Sequence, residues 1–141
     1  MKRLLLLISF VWCAILISVG SASQQSSGAK GWTIPATAKE EKNPLTVNEA
    51  VLAAGKAQFL KRCSRCHGNE GKGDGPEADE HHADHMNLTR AAGAAENPDG
   101  IVFYKIWNGR SNPRMPTFQD QMTKEQVWAV VAYVQSLRAK K

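Results

Sequence analysis

The chain has 141 residues, with 18 Lys and Arg against 13 Asp and Glu and a formal net charge of +5 at pH 7. Lys2 and Arg3 stand at the very start, so from residue 24 onward the balance is only +3 (sixteen basic against thirteen acidic). That is too slight and too scattered for a nucleic-acid surface, and suits loose docking to an acidic partner instead.

Met1-Lys2-Arg3 is followed by an almost unbroken apolar run from Leu4 to Val19 and then by Gly20-Ser21-Ala22-Ser23. Basic start, apolar run and small-residue exit form a secretory signal over residues 1–23. A retained anchor is the competing reading, although sixteen helical residues reach only ~24 Å, short of a ~30 Å hydrocarbon core. The exit lacks an A-x-A pattern, so both remain open and both imply export. Cys13 falls inside the apolar run; bulky Trp12 before it argues against lipid modification.

Residues 24–45 read as an extension or linker, rich in Ser, Gly, Pro and mixed charge, with Trp32, Ile34 and Pro35 as the residues able to dock. Residues 46–141 then form one domain. Its first helix is expected to start at Thr46, with Glu49 completing a capping box, and to carry Val51, Gly55 and Phe59 on one face up to Cys63. A mid-helix glycine costs ~1 kcal/mol against alanine, so Gly55 points to a close approach by another element. A second helix is expected from Asn97 as cap and Pro98 at the first position, with Val102/Ile106 and Phe103/Trp107 pairs and a stop at Gly109. A third starts at Thr123, again with a capping box to Gln126. Val127, Val130, Val131, Val134 and Leu137 form its apolar stripe, and Arg138, Lys140 and Lys141 suit its C-terminal end. No strand alternation is visible, and the domain reads as all-α. Residues 64–96 and 110–122 are loop-rich, leaving a thin core that a large apolar cofactor would complete.

The chemistry concentrates in Cys63-Ser64-Arg65-Cys66-His67-Gly68. Three readings compete for two cysteines three apart with a histidine directly after: a dithiol redox pair, part of a zinc site, or covalent haem c. A redox pair belongs at a helix N-terminus, where the dipole lowers a thiol pKa; this pair follows a helix. Zinc wants four ligands, and no second C-x-x-C exists. His81, His82 and His85 could be invoked for a metal, but "HHADH" reads first as a polar solvated loop, and its metal role stays open. Haem c fits in order: two thiols for two vinyl groups, then His67 for the iron. Met115, in the irregular Pro-flanked loop "NPRMP", is the candidate for the opposite axial position, with Met86 and Met122 read as packing. His/Met ligation raises the reduction potential and closes both axial sites. "GNEGKGDG" matches neither a phosphate loop nor a calcium loop and reads as a connection around the haem edge.

With these residues in view, residues 47–138 resemble a class I mono-haem c-type cytochrome of the bacterial, exported kind, through Cys63-x-x-Cys66-His67, Met115-Pro116 and the "GKGDGP" stretch. The resemblance implies three main helices around one covalent haem, with Cys63 and Cys66 as thioethers, His67 as proximal and Met115 as distal ligand. It further implies that Gly55 and Phe59 cross Val130 and Tyr133, and that the Pro76 carbonyl accepts the His67 Nδ1–H. The expected function is one-electron transfer without catalysis, between an upstream dehydrogenase or quinol-oxidising complex and a downstream reductase or oxidase. The periplasm is the expected location, free or tethered to the inner membrane through the N-terminal segment. The alternatives are a fixed cytochrome subunit of a membrane oxidase or dehydrogenase complex, and a haem sensor or enzyme with open iron. Lys61, Arg62, Arg65, Arg110 and Arg114 flank the haem-contacting segments as a candidate docking rim.

Overall fold

The computed structural model describes residues 31–139; the signal or anchor expected over 1–23 lies outside the described residues. Helices α1 (Ala36–Glu40), α2 (Glu49–Arg62), α3 (Ser64–His67), α4 (Ala83–Met86), α5 (Ala92–Glu96), α6 (Asp99–Asn108) and α7 (Lys124–Ala139) follow in order, with one 3-10 turn at Glu80–His82 before α4. Among the described residues no strand forms beyond a single antiparallel bridge between Arg110 and Met115. The domain is all-α, and three of its helices, α2, α6 and α7, build the main core.

α7 begins as its sequence dictates. Gln126 N donates to Thr123 Oγ1 at 3.2 Å, and Thr123 N donates to Gln126 Oε1 at 3.0 Å, a reciprocal cap whose loss costs ~1 kcal/mol. The other two starts differ from expectation. α2 starts at Glu49, and the cap is Asn48, whose Oδ1 accepts from Val51 N at 3.0 Å, rather than Thr46. The chain is still extended at Asn48. Nearby, Asn43 fastens the approach to α2 by donating to the Trp128 carbonyl at 3.0 Å. At α6 the extended cap position is Pro98. Asn97 instead ends α5, its N–H donating to the Gly93 carbonyl at 2.9 Å, while its Oδ1 accepts from Lys105 Nζ.

α2 lies across α7, and α6 packs on the same helix. The crossing is tight at Gly55, where a Cβ would stand 2.1 Å from the Ala129 carbonyl oxygen and 3.0 Å from Tyr133 Cβ. One turn further along α2, Phe59 is fully buried and meets the Tyr133 ring at a centroid distance of 5.3 Å. Val130 is buried in the same cluster, as are Val127, Val131, Val134 and Leu137 of the predicted stripe. On the far side of α7, Phe103 of α6 stacks on Trp128 at 4.2 Å.

In the stretch read as an extension or linker, Trp32 and Ile34 dock on the domain. Ile34 is 0 % exposed and packs with Ala38 of α1 and Ile101 of α6, flanked by Trp32 and Tyr104. Burying an isoleucine contributes roughly 1.5–3 kcal/mol, which holds the segment in place. No helix among the described residues is long and apolar enough to cross a membrane.

Gly55→Ala is expected to destabilise the protein by about 1–3 kcal/mol in a denaturant melt, because the overlap falls on backbone; the small helix-propensity gain of alanine does not offset it. A neutral or stabilising result would mean that the helices separate without cost.

Candidate functional site

α2 delivers the cysteines. Its last turn ends on Cys63, whose N–H donates to the Phe59 carbonyl at 2.8 Å. The chain then makes one further turn, α3, in which the Cys63 carbonyl accepts from Cys66 N at 3.2 Å and from His67 N at 3.0 Å. Cys63, Cys66 and His67 therefore share one rigid turn, continuous with the helix that crosses α7. Ser64 Oγ donates back to the Leu60 carbonyl at 2.7 Å and strengthens that junction.

Both cysteines are free and half-buried. Burial pushes the Cys63 thiol up to about 12, with Arg62 pulling weakly the other way and Cys66 adding to the rise. A thiol that resists ionisation is the reverse of an activated redox cysteine, which weighs against the dithiol reading. The zinc reading has no support either: among the described residues no group of three or more His, Cys, Asp or Glu is placed to hold a metal ion. In the histidine-rich loop, His82 Nδ1 pairs with Asp79 Oδ2 at 2.7 Å and the His82 and His85 rings stack at 6.2 Å, while His81 is exposed.

His67 Nδ1 lies 2.8 Å from the carbonyl oxygen of Met86. A carbonyl only accepts, so Nδ1 carries the proton and Nε2 keeps its lone pair for a metal. Burial lowers the His67 pKa below the usual histidine range, the Met86 bond opposing it; the ring is thus held neutral, the form that ligates. The expected acceptor, Pro76, is not the partner. At Gly75 a Cβ would fall 2.3 Å from the Arg65 carbonyl oxygen, so the bare backbone passes close over α3. Glu77 N then donates to that carbonyl at 2.7 Å. Pro76 is thereby held exposed beside Arg65, away from the ring. The short α4 instead brings Met86 in, its side chain buried.

Gly73 backs this contact. It has φ +82°, and a Cβ there would stand 3.0 Å from the Met86 carbonyl carbon, Met86 Cβ and Asn87 N. Its N–H donates to the His67 carbonyl at 2.8 Å. The stretch expected as a loose connection is a brace between His67 and Met86.

Met115 sits on the loop between α6 and α7. Its N–H donates to the Arg110 carbonyl at 2.9 Å, and Arg110 N donates to the Met115 carbonyl at 2.8 Å. Thr117 Oγ1 ties the loop to the end of α6 through the Trp107 carbonyl at 2.7 Å. Cys63, Leu88, Trp107 and Met115 are each only partly buried and all pack against the one apolar cluster. Thiols and an imidazole of fixed tautomer on one turn, and a thioether on a loop packed against the same core cluster, are a donor set whose chemistry fits an iron macrocycle.

Fold and site together describe a small all-α protein that presents two thiols and an imidazole on one helical turn. The family model for cytochrome c matches residues 52–138, and the chain belongs to the cytochrome c family, which carries covalently bound haem c and uses it in electron transfer. No curated protein matches the chain. Among solved structures it is similar to a chain of the Kuenenia stuttgartiensis reducing HAO-like protein complex Kustc0457/Kustc0458, at 28 % identity and a TM-score of 0.56. That similarity covers 69 % of this chain and 49 % of the other, so this chain corresponds to about half of that protein.

Gly73→Ala is expected to cost about 1–3 kcal/mol, since an alanine is strained at positive φ and presses on Met86. It should also speed solvent exchange of the His67 Nδ1 proton followed by NMR. An unchanged exchange rate would show that Gly73 does not support the Met86 contact.

Proposed function

We propose that this protein is a one-electron carrier and not an enzyme, with one haem c attached through Cys63 and Cys66 and held by His67 and Met115. The observation that carries this reading is the fixed tautomer of His67 inside the turn that holds both thiols. It leaves Nε2 as a ligand and buries the opposite nitrogen in a bond to Met86. Haem c supplies a one-electron ferrous–ferric couple when bound. The chain's own residues would set its surroundings: the Met86 carbonyl would raise the basicity of His67, the apolar cluster would lower the local dielectric, and Met115 would be the second protein ligand. The proposed location is the periplasm, either free or tethered by residues 1–23, on the strength of the leader-like pattern of that stretch. The partners are then redox proteins there, an upstream dehydrogenase or quinol-oxidising complex and a downstream reductase or oxidase.

The candidate docking rim keeps much of its positive charge, because hydrogen bonds to neutral amide and carbonyl oxygens do not neutralise a guanidinium. Arg65 pairs with Glu77, Arg62 bonds to Gln58 and Gln121, and Arg110 bonds to the Pro113 carbonyl. Lys61 and Arg114 are exposed. Raising the ionic strength is expected to slow partner reduction where this rim steers docking, and rates indifferent to salt would rule that steering out.

A second reading has its own support. The similar solved chain extends well beyond the matched part and belongs to a reducing HAO-like protein complex, which favours a fixed electron-entry subunit. Purification from native membranes with all associated chains separates the two: a stoichiometric companion favours the subunit.

The experiment for the carrier reading is the visible spectrum of the protein matured with haem. The ferric form is expected to show the weak far-red band of methionine-ligated haem, and Met115→Ala to lose it. The reduced wild type should resist carbon monoxide, and the variant should take it up. Rapid stoichiometric uptake by wild type would establish an open site and replace the carrier with a sensor or enzyme.

A further inference from the structure

The candidate iron ligand on the loop side is not held by its loop alone. The loop from Arg110 to Met115 is closed by two backbone bonds at its ends and by Arg110 Nε donating to the Pro113 carbonyl at 2.8 Å. Arg110 thus bonds to the loop three times, through N–H, C=O and side chain. The same guanidinium lies against the Trp32 ring, with Cζ 4.8 Å from the ring centroid. Lys105 Nζ also approaches that ring, at 5.6 Å. Arg110 is the closer partner, and its planar guanidinium is the group suited to stacking on an aromatic face. The segment preceding Trp32 reaches the loop as well: a Cβ on Gly31 would stand 3.3 Å from the Asn112 carbonyl oxygen and 4.0 Å from Pro113 Cδ. Just beyond Trp32, Ile34 and Ala38 anchor the segment on α6.

We propose that residues 31–38 act as a strap, and that Trp32 is a positioning residue which, by stacking on Arg110, fixes the Met115 loop and sets how firmly the thioether holds iron. This rests on the reading of Met115 as a ligand. The physical basis is the placement of the strap. A loop that closes on itself can still swing as a body about its two ends. A ring anchored on α6 and laid on the guanidinium removes that swing, and a partly desolvated cation–π contact contributes about 0.5–2 kcal/mol. The docked Ile34 means that little further entropy is lost when the contact forms.

The test uses the full-length, haem-loaded protein as wild type, Trp32→Leu and Trp32→Phe. Leucine keeps apolar contact with the Ile34 cluster but has no ring face; phenylalanine keeps the face. Two quantities are measured: displacement of the far-red ferric band by added imidazole, and hydrogen exchange of the Arg110 and Met115 amides. Trp32→Leu is expected to raise imidazole affinity and loop-amide exchange roughly three- to tenfold, to leave α2 and α7 amides unchanged, and to be largely rescued by Trp32→Phe. Loop exchange within twofold of wild type in Trp32→Leu would overturn the proposal. So would a rise shared equally by α2 and α7, which marks general loss of stability. Met115→Ala serves as the control for the ligand reading: a far-red band that survives it removes Met115 as ligand, and with it the part of the proposal that concerns iron. The exchange measurement reports the strap without reference to iron and keeps the two failures apart.

Discussion

The close crossing of α2 and α7 at Gly55 is the contact on which the rest of the structure depends. With the Ala129 carbonyl lying where a Cβ would be, α2 has one depth and one rotation on α7. Phe59 is then forced against Tyr133, and the end of α2 is fixed four residues later. Because α3 continues from Cys63 with its own backbone bonds, the crossing sets the positions of both thiols and of His67. A core contact of this kind acts at a distance: it touches no donor atom, yet it decides where three of the four candidate donors sit.

The parts of this fold that could be read from the sequence are those in which one residue's chemistry suffices. Cys63-x-x-Cys66-His67 is legible because spacing alone limits what two thiols and an imidazole can do. The α7 start is legible because Thr123 and Gln126 cap each other locally, and Gly55 because a helix tolerates a glycine only for a reason. The Met86 contact was not legible, and the reason is general. The acceptor is a backbone carbonyl, which every residue has, so no side chain advertises it; only the path of the chain over α3 and through α4 selects Met86 over Pro76. A weak signal did exist in the cluster of Gly71, Gly73 and Gly75, which permits such a path without specifying its end. Asn48 displaced Thr46 as the cap for a comparable reason, since both are good caps and the extended approach through Asn43 and Leu45 decides between them.

The docked strap shows the same limit from another side. Trp32 and Ile34 stand out as large apolar residues in a polar stretch, which hints at burial. Their partners, Ile101, Tyr104, Lys105 and Arg110, lie some seventy residues away, and no local pattern encodes that pairing. Such long-range contacts are where a small domain with a thin core gains its remaining stability. The strap contributes a second apolar cluster, separate from the one beneath the haem-binding residues.

The two candidate ligands, His67 and Met115, are consequently held on different principles. His67 belongs to a helical turn and is tied at Nδ1 by a buried carbonyl, so its position is set by backbone on both sides. Met115 hangs on a loop whose order comes from a two-bond bridge and from the side chain of Arg110. A thioether is also a weaker donor than an imidazole. If either ligand yields, the cost is lower on the methionine side, where bonds to one arginine and one ring must loosen rather than a helix crossing. The proposed carrier role would be served by such an asymmetry. The firm side preserves the low reorganisation that fast transfer needs, while the loop side can be tuned through residues remote from the metal, without disturbing the crossing that holds the thiols.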